Sequence, residues 1–290
     1  MSAADIARAL PAHLDWPLRF VHPEKSTELA RLSVGASDIE GAVAAALGLS
    51  AEDVRAQRAL IDDQVRSSAR LLLEDARVAA ACRRLPFLPG QTIVALGDSI
   101  TDDSLSWAYQ LEAVLQQVYA VDAPSVVNAG RSGDTTADAI DRLDLVLAHE
   151  PDWVIQLLGT NDVRHHGDRR IFSTGQTGTN LDTIAHLLVD VGGVRLIRMT
   201  PPPVAADVVH AATAAPGIGL RWSQADLARI GRHLLRSDPA VVDLHTPLLP
   251  RAADLLDPDG LHPNVDGHRE ILRLLLLSLG AADSVGEMPA

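Results

Sequence analysis

The feature that most constrains the fold of this chain is an alternation of short apolar runs with segments of helical periodicity, which begins after Gly90. Strands separated by helices in this way predict a parallel sheet covered by helices on both faces and joined by right-handed crossovers. Five runs are predicted as strands: Thr92 to Leu96, Ser125 to Ala129, Trp153 to Leu158, Val194 to Met199 and Val241 to Leu244. Helices are predicted over Trp107 to Tyr119, Ala137 to His149, Asn180 to Asp190, Ser223 to Arg236 and Pro263 to Leu279.

The first part of the chain contains few strand-like runs and is predicted to be helical. Ser37 with Glu40, and Ser50 with Asp53, match a helix start in which a capping side chain is followed by an acid three residues later. From Ser50 to about Arg84 the pattern predicts one long amphipathic helix or two helices broken by a turn. Its apolar positions are Val54, Leu60, Ile61, Val65, Ala69, Leu72 and Leu73.

This apolar stripe must be covered by the α/β body, by neighbouring helices or by a second subunit in a homodimer. Composition changes near Pro86, where a Pro- and Gly-containing stretch precedes the first strand. We therefore divide the chain into a helical N-terminal region, residues 1–89, and an α/β domain, residues 90–290.

The charge and cysteine content limit the classes of partner. A net charge of -13 argues against general binding to nucleic acid or to anionic membranes, which require a basic surface. Cys82 is the single cysteine, which excludes an internal disulfide and a Cys-based zinc site and fits a reducing cytoplasm. Asp5 and Arg8 interrupt any apolar signal sequence, and the apolar run near Leu272 to Leu279 is too short to span a bilayer. The expected protein is cytoplasmic, without membrane insertion, and acts on a small molecule.

Polar residues and glycines follow the predicted strands where the carboxyl ends of a parallel sheet meet. The first strand ends in "ALGDSITDD" with Ser99, the second runs into "NAGRSGDTT" with Gly130, and the third into "LLGTNDV" with Asn161. The fifth is followed by "DPDGLHPNVDGH", in which Asp259 and His262 are three residues apart across a turn. A serine, a backbone donor, an amide donor and a His-Asp pair at one edge form the set that acyl transfer needs.

These four stretches resemble the SGNH hydrolases, also called the GDSL esterase and lipase family. The four residues that name the family correspond to Ser99, Gly130, Asn161 and His262, with Asp259 as the acid beside the histidine. The resemblance covers Gln91 to about Gly280 and leaves the first 90 residues unexplained. It implies a three-layer α/β/α fold of flavodoxin-like type with strand order 2-1-3-4-5. It also implies ester hydrolysis without a metal or organic cofactor.

The chemistry implied by the resemblance assigns a role to each of these residues. Ser99 would attack the ester carbonyl while His262 removes its proton and Asp259 orients the imidazole. The backbone N–H groups of Ser99 and Gly130 and the side-chain amide of Asn161 would form the oxyanion hole. No G-x-S-x-G pentapeptide surrounds Ser99, which separates this site from the α/β-hydrolase nucleophile elbow.

Several neighbouring residues invite other interpretations. Gly133 is interpreted as a turn former, Asp98 as support for the Ser99 loop, and Asp257 as a turn residue beside Pro258 rather than the orienting acid. His165 and His166 with Asp162 and Asp168 imitate a metal cluster, but nearby arginines favour a solvated loop. That loop and the one after the fourth strand are expected to overhang the site. Candidate wall residues are Phe172, Arg221 and Trp222, with packing as the default for Phe172 and Trp222.

The leading hypothesis is a hydrolase of small or medium carboxylic esters, with O-acetyl esters of a sugar or secondary metabolite among the candidates. A thioesterase or acyltransferase could use the same acyl-enzyme. A non-catalytic protein that binds a partner through its N-terminal helices is the alternative from a different class.

Overall fold

A computed structural model describes residues 18–22, 25, 39–119, 121–208 and 219–282 of the chain. The strands in chain order are β1 Thr92–Gly97, β2 Ser125–Gly130, β3 Trp153–Leu157, β4 Arg164–His166, β5 Arg169–Arg170, β6 Arg195–Met199 and β7 Leu220–Trp222. Four of them form a parallel sheet in the order β2-β1-β3-β6. The first four predicted strands and their relative order are thereby confirmed.

The register of this sheet brings the ends of its strands together. Gly97, the last residue of β1, pairs with Gly130 of β2 and Leu157 of β3, and Leu157 pairs in turn with Met199 of β6. The segments that follow these four residues therefore leave the sheet side by side. This edge is where the predicted site residues were expected.

The predicted fifth strand is reduced to a single bridge, so the five-strand order is not confirmed. Val242 forms one parallel bridge with Met199, and the Thr200 N–H donates to the Val242 carbonyl over 3.0 Å. Immediately afterwards, the Leu244 and His245 N–H groups donate to the Thr200 hydroxyl, at 2.9 and 3.1 Å. Because this side chain takes the N–H groups that would extend a ladder, the pairing ends after a single residue.

Helices account for most of the remaining described chain, and no helix within the described ranges is both long and apolar enough to cross a membrane. The predicted helix over Ala137 to His149 is divided in two at Arg142. In chain order the helices are α1 Ile39–Leu47, α2 Ala51–Glu74, α3 Ala76–Cys82, α4 Ser99–Asp102, α5 Trp107–Tyr119, α6 Thr136–Asp141, α7 Leu143–Leu147, α8 Thr174–His186, α9 Gln224–Ser237, α10 His245–Leu248, α11 Ala252–Leu255 and α12 Val265–Ala282.

The N-terminal helices start and stop at local signals. Ser50 caps α2 and forms the predicted capping box with Asp53. Asp75 separates α2 from α3, and its carboxylate accepts from the Arg77 N–H over 2.8 Å to start the second helix. Of the two arrangements that the stripe allowed, the chain adopts two helices broken by a turn. The predicted start at Ser37 lies outside the described residues.

The sheet separates two apolar cores. Along β1, Ile93 and Ala95 face one core, whereas Val94 and Leu96 face the other, as the two-residue period of a strand requires. The first core is completed by α2, α3, α5 and α12, and the second by α6, α7, α8 and α9. Helices thus cover both faces of the sheet in three layers.

Most of the predicted apolar stripe of the N-terminal helices is buried inside the chain. Ile61, Val65, Ala69 and Leu72 belong to the same core as the first face of β1, whereas Leu60 is 49% exposed. The described part of the N-terminal region therefore packs against the α/β body through this face.

The two loops expected to overhang the site contain a second, small sheet. Strands β4 and β5 form an antiparallel hairpin, and β7 pairs with β4 from the other side, in the order β5-β4-β7. Arg170 anchors the hairpin by an ion pair with the buried Asp226 of α9, at 2.6 Å. The segment predicted as a solvated loop is therefore partly ordered by strand pairing.

Candidate active site

Ser99 is the first residue of α4, and only Asp98 separates it from Gly97 at the end of β1. A Cβ atom at Gly97 would lie 2.0 Å from the Thr101 hydroxyl, so this close turn requires a glycine. Asp98 caps α4, and its carboxylate accepts from the Ile100 N–H over 3.0 Å. Ser99 is 9% exposed. The local sequence therefore fixes the serine at the carboxyl edge of the central strand.

The structure brings three of the predicted residues into one hydrogen-bonded chain. His262 Nε2 is 2.9 Å from Ser99 Oγ, and His262 Nδ1 is 2.5 Å from Asp259 Oδ2. The other oxygen of Asp259 accepts from the backbone N–H groups of Leu261 and His262, at 2.9 and 3.0 Å. The histidine is thus held from both ring nitrogens by the serine and the acid.

The surroundings of Asp259 in this hydrogen-bonded chain favour the ionised form of its carboxyl. Burial alone would raise the pKa of Asp259, but the hydrogen bond and charge of His262 outweigh it and lower the pKa below its ordinary value. Asp257, the other candidate acid, instead forms an ion pair with Arg19 at 2.6 Å. Its side chain is therefore used elsewhere, as the sequence interpretation of Asp259 expected.

Gly130, predicted as an oxyanion donor, has an N–H group that is already hydrogen-bonded. Its N–H donates to the side-chain oxygen of Asn128 over 3.0 Å. A Cβ atom at Gly130 would lie 2.4 Å from the Asp102 nitrogen and 2.7 Å from the Thr101 carbonyl carbon. The absence of a side chain at Gly130 therefore allows the close approach of β2 to α4.

Gly133 has the backbone conformation of a turn former, as its sequence interpretation predicts, and its N–H differs from that of Gly130. It has a φ of 88°, and its N–H has no hydrogen-bond partner among the described residues. The next carbonyl, that of Asp134, accepts from the Asn161 side-chain amide over 3.0 Å. Asn161 follows β3, is 6% exposed and retains a second amide hydrogen. The Gly133 turn and Asn161 therefore adjoin each other.

Buried polar contacts fix the loops on which these donors lie. Arg142 pairs with Asp134 at 2.6 Å and donates to the Gly97 carbonyl over 3.1 Å, which joins the Gly133 turn to the end of β1. Asp162 accepts from the Thr136 hydroxyl over 2.5 Å and from its N–H over 3.0 Å. Burial raises the pKa of Asp162. This aspartate, which the sequence placed in an apparent metal cluster, joins the turn after β3 to α6.

Asp98 supports the serine loop, as expected, but its second oxygen is unusual. Its carboxyl is fully buried, and Oδ2 has no hydrogen-bond partner among the described residues. Burial raises the pKa of Asp98 to about 7, against the opposing effects of the Ile100 N–H and the charge of His262. A carboxyl that titrates near neutral pH thus lies directly beside Ser99.

The wall residues predicted from the sequence contribute unequally. Trp222 is 6% exposed and belongs to the second core, in agreement with its default interpretation as a packing residue. Arg221 pairs with the exposed Asp168 at 3.2 Å. Phe172 is half-buried. None of the contacts described for these residues joins them to Ser99 or His262.

Sequence reasoning missed the N-terminal residues at this edge. The Phe20 ring lies against the imidazole of His262, with 4.8 Å between ring centroids. Lys25 pairs with Asp102 of α4 at 2.6 Å. Neither residue belongs to a recognisable motif, and their separation from the site in the chain conceals the contact. Nothing short of the folded structure could have identified them.

Comparison with known proteins identifies relatives of the α/β body. The model of the GDSL-like Lipase/Acylhydrolase family matches residues 95–270. An acetylxylan esterase of Geobacillus stearothermophilus is 37% identical over an alignment of 89 residues, and the match covers 26% of this chain and 41% of the relative. The match thus spans less than half the length of that relative.

Several solved structures share the fold of the α/β body. A lipase/acylhydrolase of Enterococcus faecalis, 26% identical, covers 69% of this chain and 100% of its own, with a TM-score of 0.51. An acetylxylan esterase of Geobacillus stearothermophilus, 23% identical, covers 66% and 95%, with a TM-score of 0.51. An alpha/beta hydrolase enzyme from the metagenome of Lake Arreo, Spain, 22% identical, covers 67% and 97%, with a TM-score of 0.53.

Proposed function

Because the chain belongs to the GDSL-like lipase/acylhydrolase family, a group of carboxylic ester hydrolases, we propose that it cleaves carboxylic esters with Ser99 as the nucleophile. The observation that carries this proposal is the hydrogen-bonded chain from Ser99 through His262 to Asp259, with distances of 2.9 and 2.5 Å. Each group in that chain has the role that acyl transfer assigns to its type.

Proton transfer follows from the two contacts of His262. Asp259 accepts a hydrogen bond from the Nδ1–H group, so Nε2 carries no hydrogen. Nε2 can therefore accept the hydroxyl proton of Ser99 as the serine oxygen attacks the ester carbonyl. The same nitrogen then donates this proton to the oxygen of the departing alcohol, and the acyl group stays on Ser99. Water, activated by Nε2 in turn, hydrolyses this acyl-enzyme and restores the serine.

The negative charge that develops on the carbonyl oxygen requires fixed donors. We assign them to the backbone N–H groups of Ser99 and Gly133 and to the side-chain amide of Asn161. The N–H of Gly133, which has no partner in the described part of the chain, supports this choice over Gly130, whose N–H is bonded to Asn128. The contact between Asn161 and the Asp134 carbonyl supports it as well, because it holds the amide beside the Gly133 turn.

For the substrate we propose a small or medium carboxylic ester, with acetyl esters of sugars as the first class to test. The acetylxylan esterase relative supports this choice. Thioester cleavage or transfer of the acyl group to an alcohol would use the same acyl-enzyme. Assays with an acetyl thioester and with an added alcohol acceptor separate these reactions from hydrolysis.

The decisive variant is Ser99→Ala, assayed with a series of chromogenic esters from acetyl to long acyl chains. We expect turnover to fall by about four to six orders of magnitude, because the nucleophile is lost while the fold remains. A serine-directed fluorophosphonate should label the peptide that contains Ser99, as measured by mass spectrometry. Ser67→Ala, which removes a half-buried serine from α2, is the matched control and should keep full activity and labelling.

The double variant Ser99→Ala with His262→Ala tests whether the two residues act as a unit. It should be about as slow as Ser99→Ala alone, since each residue is useless without the other. Hydrolysis that persists in Ser99→Ala, or a double variant far slower than both single variants, would contradict the shared mechanism.

A further inference from the structure

A segment far from the motifs in the chain crosses the edge of the sheet where the proposed site lies. We call residues 18–22 with Lys25 the N-terminal strap; they lie outside residues 95–270, the span that matches the family model. Leu18 is 1% exposed and packs in a small apolar cluster with Val43 and Ala44 of α1 and Val54 of α2. The strap is thus attached to the N-terminal helices at one end.

Arg19 attaches the strap to both catalytic loops. Its guanidinium pairs with Asp103, the residue that follows α4. It also pairs with Asp257, two residues before Asp259, at 2.6 Å. It also donates to the Pro263 carbonyl, immediately after His262, over 3.2 Å. One side chain therefore joins the loop of the nucleophile to the loop of the base.

These ion pairs are buried and difficult to release. Burial alone would lower the pKa of Arg19, but the hydrogen bonds and charges of Asp103 and Asp257 outweigh it and raise the pKa. Asp103 is fully buried, and its contacts with His268 and Arg19 lower its pKa in spite of that burial. Removing one partner would leave a buried charge uncompensated, so the position of Arg19 is firmly set.

The far end of the strap reaches the end of β2. Lys25 Nζ is 2.6 Å from Asp102 Oδ1 and 3.2 Å from the Asn128 side-chain oxygen. Arg131 in turn donates to the Lys25 carbonyl over 3.1 Å. The described residues of the strap therefore contact the segments after β1 and β2 as well as the His262 loop.

Phe20 occupies the position in the strap that faces the proposed chemistry. Its ring is tilted by 53° to the imidazole of His262, with 4.8 Å between the centroids. The Arg19 guanidinium lies 5.3 Å from the centroid of the same ring. Phe20 is half-buried, and its ring lies beside the proposed catalytic histidine.

We propose that Phe20 forms the subsite for the alcohol part of the ester and selects alcohols that present a flat apolar face, such as an aromatic or a pyranose ring. This inference rests on the proposed function, in which His262 Nε2 donates its proton to the departing alcohol. The alcohol must then lie within hydrogen-bond reach of that nitrogen. Among the described residues, the aromatic ring in contact with the imidazole is that of Phe20, so a ring on the alcohol would pack against it.

The test compares esters that share an acetyl group and differ in the alcohol. Ethyl acetate has no ring, whereas benzyl acetate and an acetylated methyl xyloside present an aromatic and a pyranose ring. For Phe20→Ala we expect kcat/KM to fall about tenfold or more for both ring esters, with a change below about threefold for ethyl acetate. Hydrolysis of the acetyl-enzyme, which is common to all three, should not change.

Two further variants make the result specific. Phe20→Leu keeps apolar bulk without a flat ring and should give an intermediate loss of discrimination. Leu71→Ala removes a 53% exposed apolar side chain from α2 and should leave every ratio unchanged. Thermal unfolding checks that each variant is folded, and Phe20→Leu carries the test if Phe20→Ala is unstable.

The outcomes separate this proposal from the proposed function. Equal losses on ring and ring-free esters would reduce Phe20 to a residue that positions His262 and would overturn the subsite. An effect on benzyl acetate alone would restrict the subsite to aromatic alcohols and contradict its extension to sugars. An unmodified protein that cleaves none of the three esters, and that no fluorophosphonate labels, would instead contradict the esterase function itself.

Discussion

Asp98 combines two properties at the scale of a single residue. It caps α4 through its contact with the Ile100 N–H, yet its carboxyl is fully buried with one oxygen unpartnered among the described residues. Burial raises its pKa to about 7, whereas an aspartate in the unfolded chain titrates near 4. Between these two values the folded protein therefore binds a proton at Asp98 that the unfolded chain does not bind.

This difference predicts the sign of a pH effect on stability. The stabilising contribution of protonated Asp98 to the free energy of unfolding is fully present below about pH 4. It is lost as the pH rises through about 7, because the folded state must then hold a buried charge. Asp98→Asn keeps the capping oxygen and cannot ionise. The free energy of unfolding of Asp98→Asn minus that of the unmodified protein should therefore be larger at pH 8 than at pH 5, by at least about 1 kcal/mol.

Urea unfolding of both proteins at pH 5 and pH 8 measures this change. Asp75→Asn serves as the control, because the pKa of that carboxyl is lowered and its titration lies below the pH window. The free energy of unfolding of this variant should therefore differ from that of the unmodified protein by the same amount at both pH values. An equally constant difference for Asp98→Asn would show that Asp98 does not titrate as its burial implies.

Individual site residues differed in how far the sequence could identify them. Ser99, Asn161, Asp259 and His262 each lie in a short motif, and the folded chain brings the serine, the acid and the histidine into direct contact. The choice between the two glycines of "NAGRSGDTT" could not be made in this way. It depends on where each N–H points: the side chain of Asn128, a residue of the same motif, accepts from the Gly130 N–H, and this contact supports the proposal for Gly133.

At the scale of secondary structure, the alternating pattern predicted the central elements because local periodicity and burial agreed there. It failed where a distant contact intervened. The helix predicted over Ala137 to His149 breaks at Arg142 with no glycine or proline to mark the break, since the guanidinium of that residue bonds Asp134 and the Gly97 carbonyl. The predicted fifth strand stops at one bridge because the hydroxyl of Thr200, the residue after β6, accepts from the Leu244 and His245 N–H groups.

The crossing of α3 and α12 provides a test at this scale. A Cβ atom at Gly280 of α12 would lie 2.5 Å from both Cα and Cβ of Ala81 in α3, and 2.8 Å from its carbonyl oxygen. These are mostly backbone atoms, which cannot move aside as a side-chain tip could. We therefore expect Gly280→Ala to destabilise the protein by about 1–3 kcal/mol, although alanine favours a helix by up to about 1 kcal/mol.

Denaturant unfolding gives this value directly, and the chain offers a matched control. Gly175 lies in the first turn of α8, where the nearest atom to an added Cβ would be the Ser173 hydroxyl oxygen, at 3.8 Å. Gly175→Ala should be neutral or stabilising. If both substitutions were neutral, the helices would not cross as closely as the structure has them.

At the scale of the whole molecule, the division into residues 1–89 and 90–290 stays a prediction about the organisation of the chain. In three dimensions the described N-terminal helices are tied to the α/β body by more than apolar contact. Ser68 of α2 donates to the buried Gln110 side chain over 2.8 Å, and Arg84 donates to the Gly280 carbonyl over 2.7 Å. The apolar stripe is mostly buried against other parts of the same chain, so its burial does not require a second copy of the protein.

Deletion of residues 1–88 tests this dependence on the N-terminal part. It removes α2 and α3 and uncovers the faces of α5 and α12 that they contact, which exposes apolar side chains and removes the Ser68 donor from the Gln110 side-chain oxygen. We expect the melting temperature to fall by at least about 10 °C and the truncated protein to aggregate in light scattering. Any folded fraction keeps Ser99, Asp259 and His262 and should retain activity on ethyl acetate, while its preference for ring alcohols disappears with Phe20. A truncated protein that is monodisperse, equally stable and unchanged on every ester would make the N-terminal helices an independent module and return the partner-binding alternative to consideration.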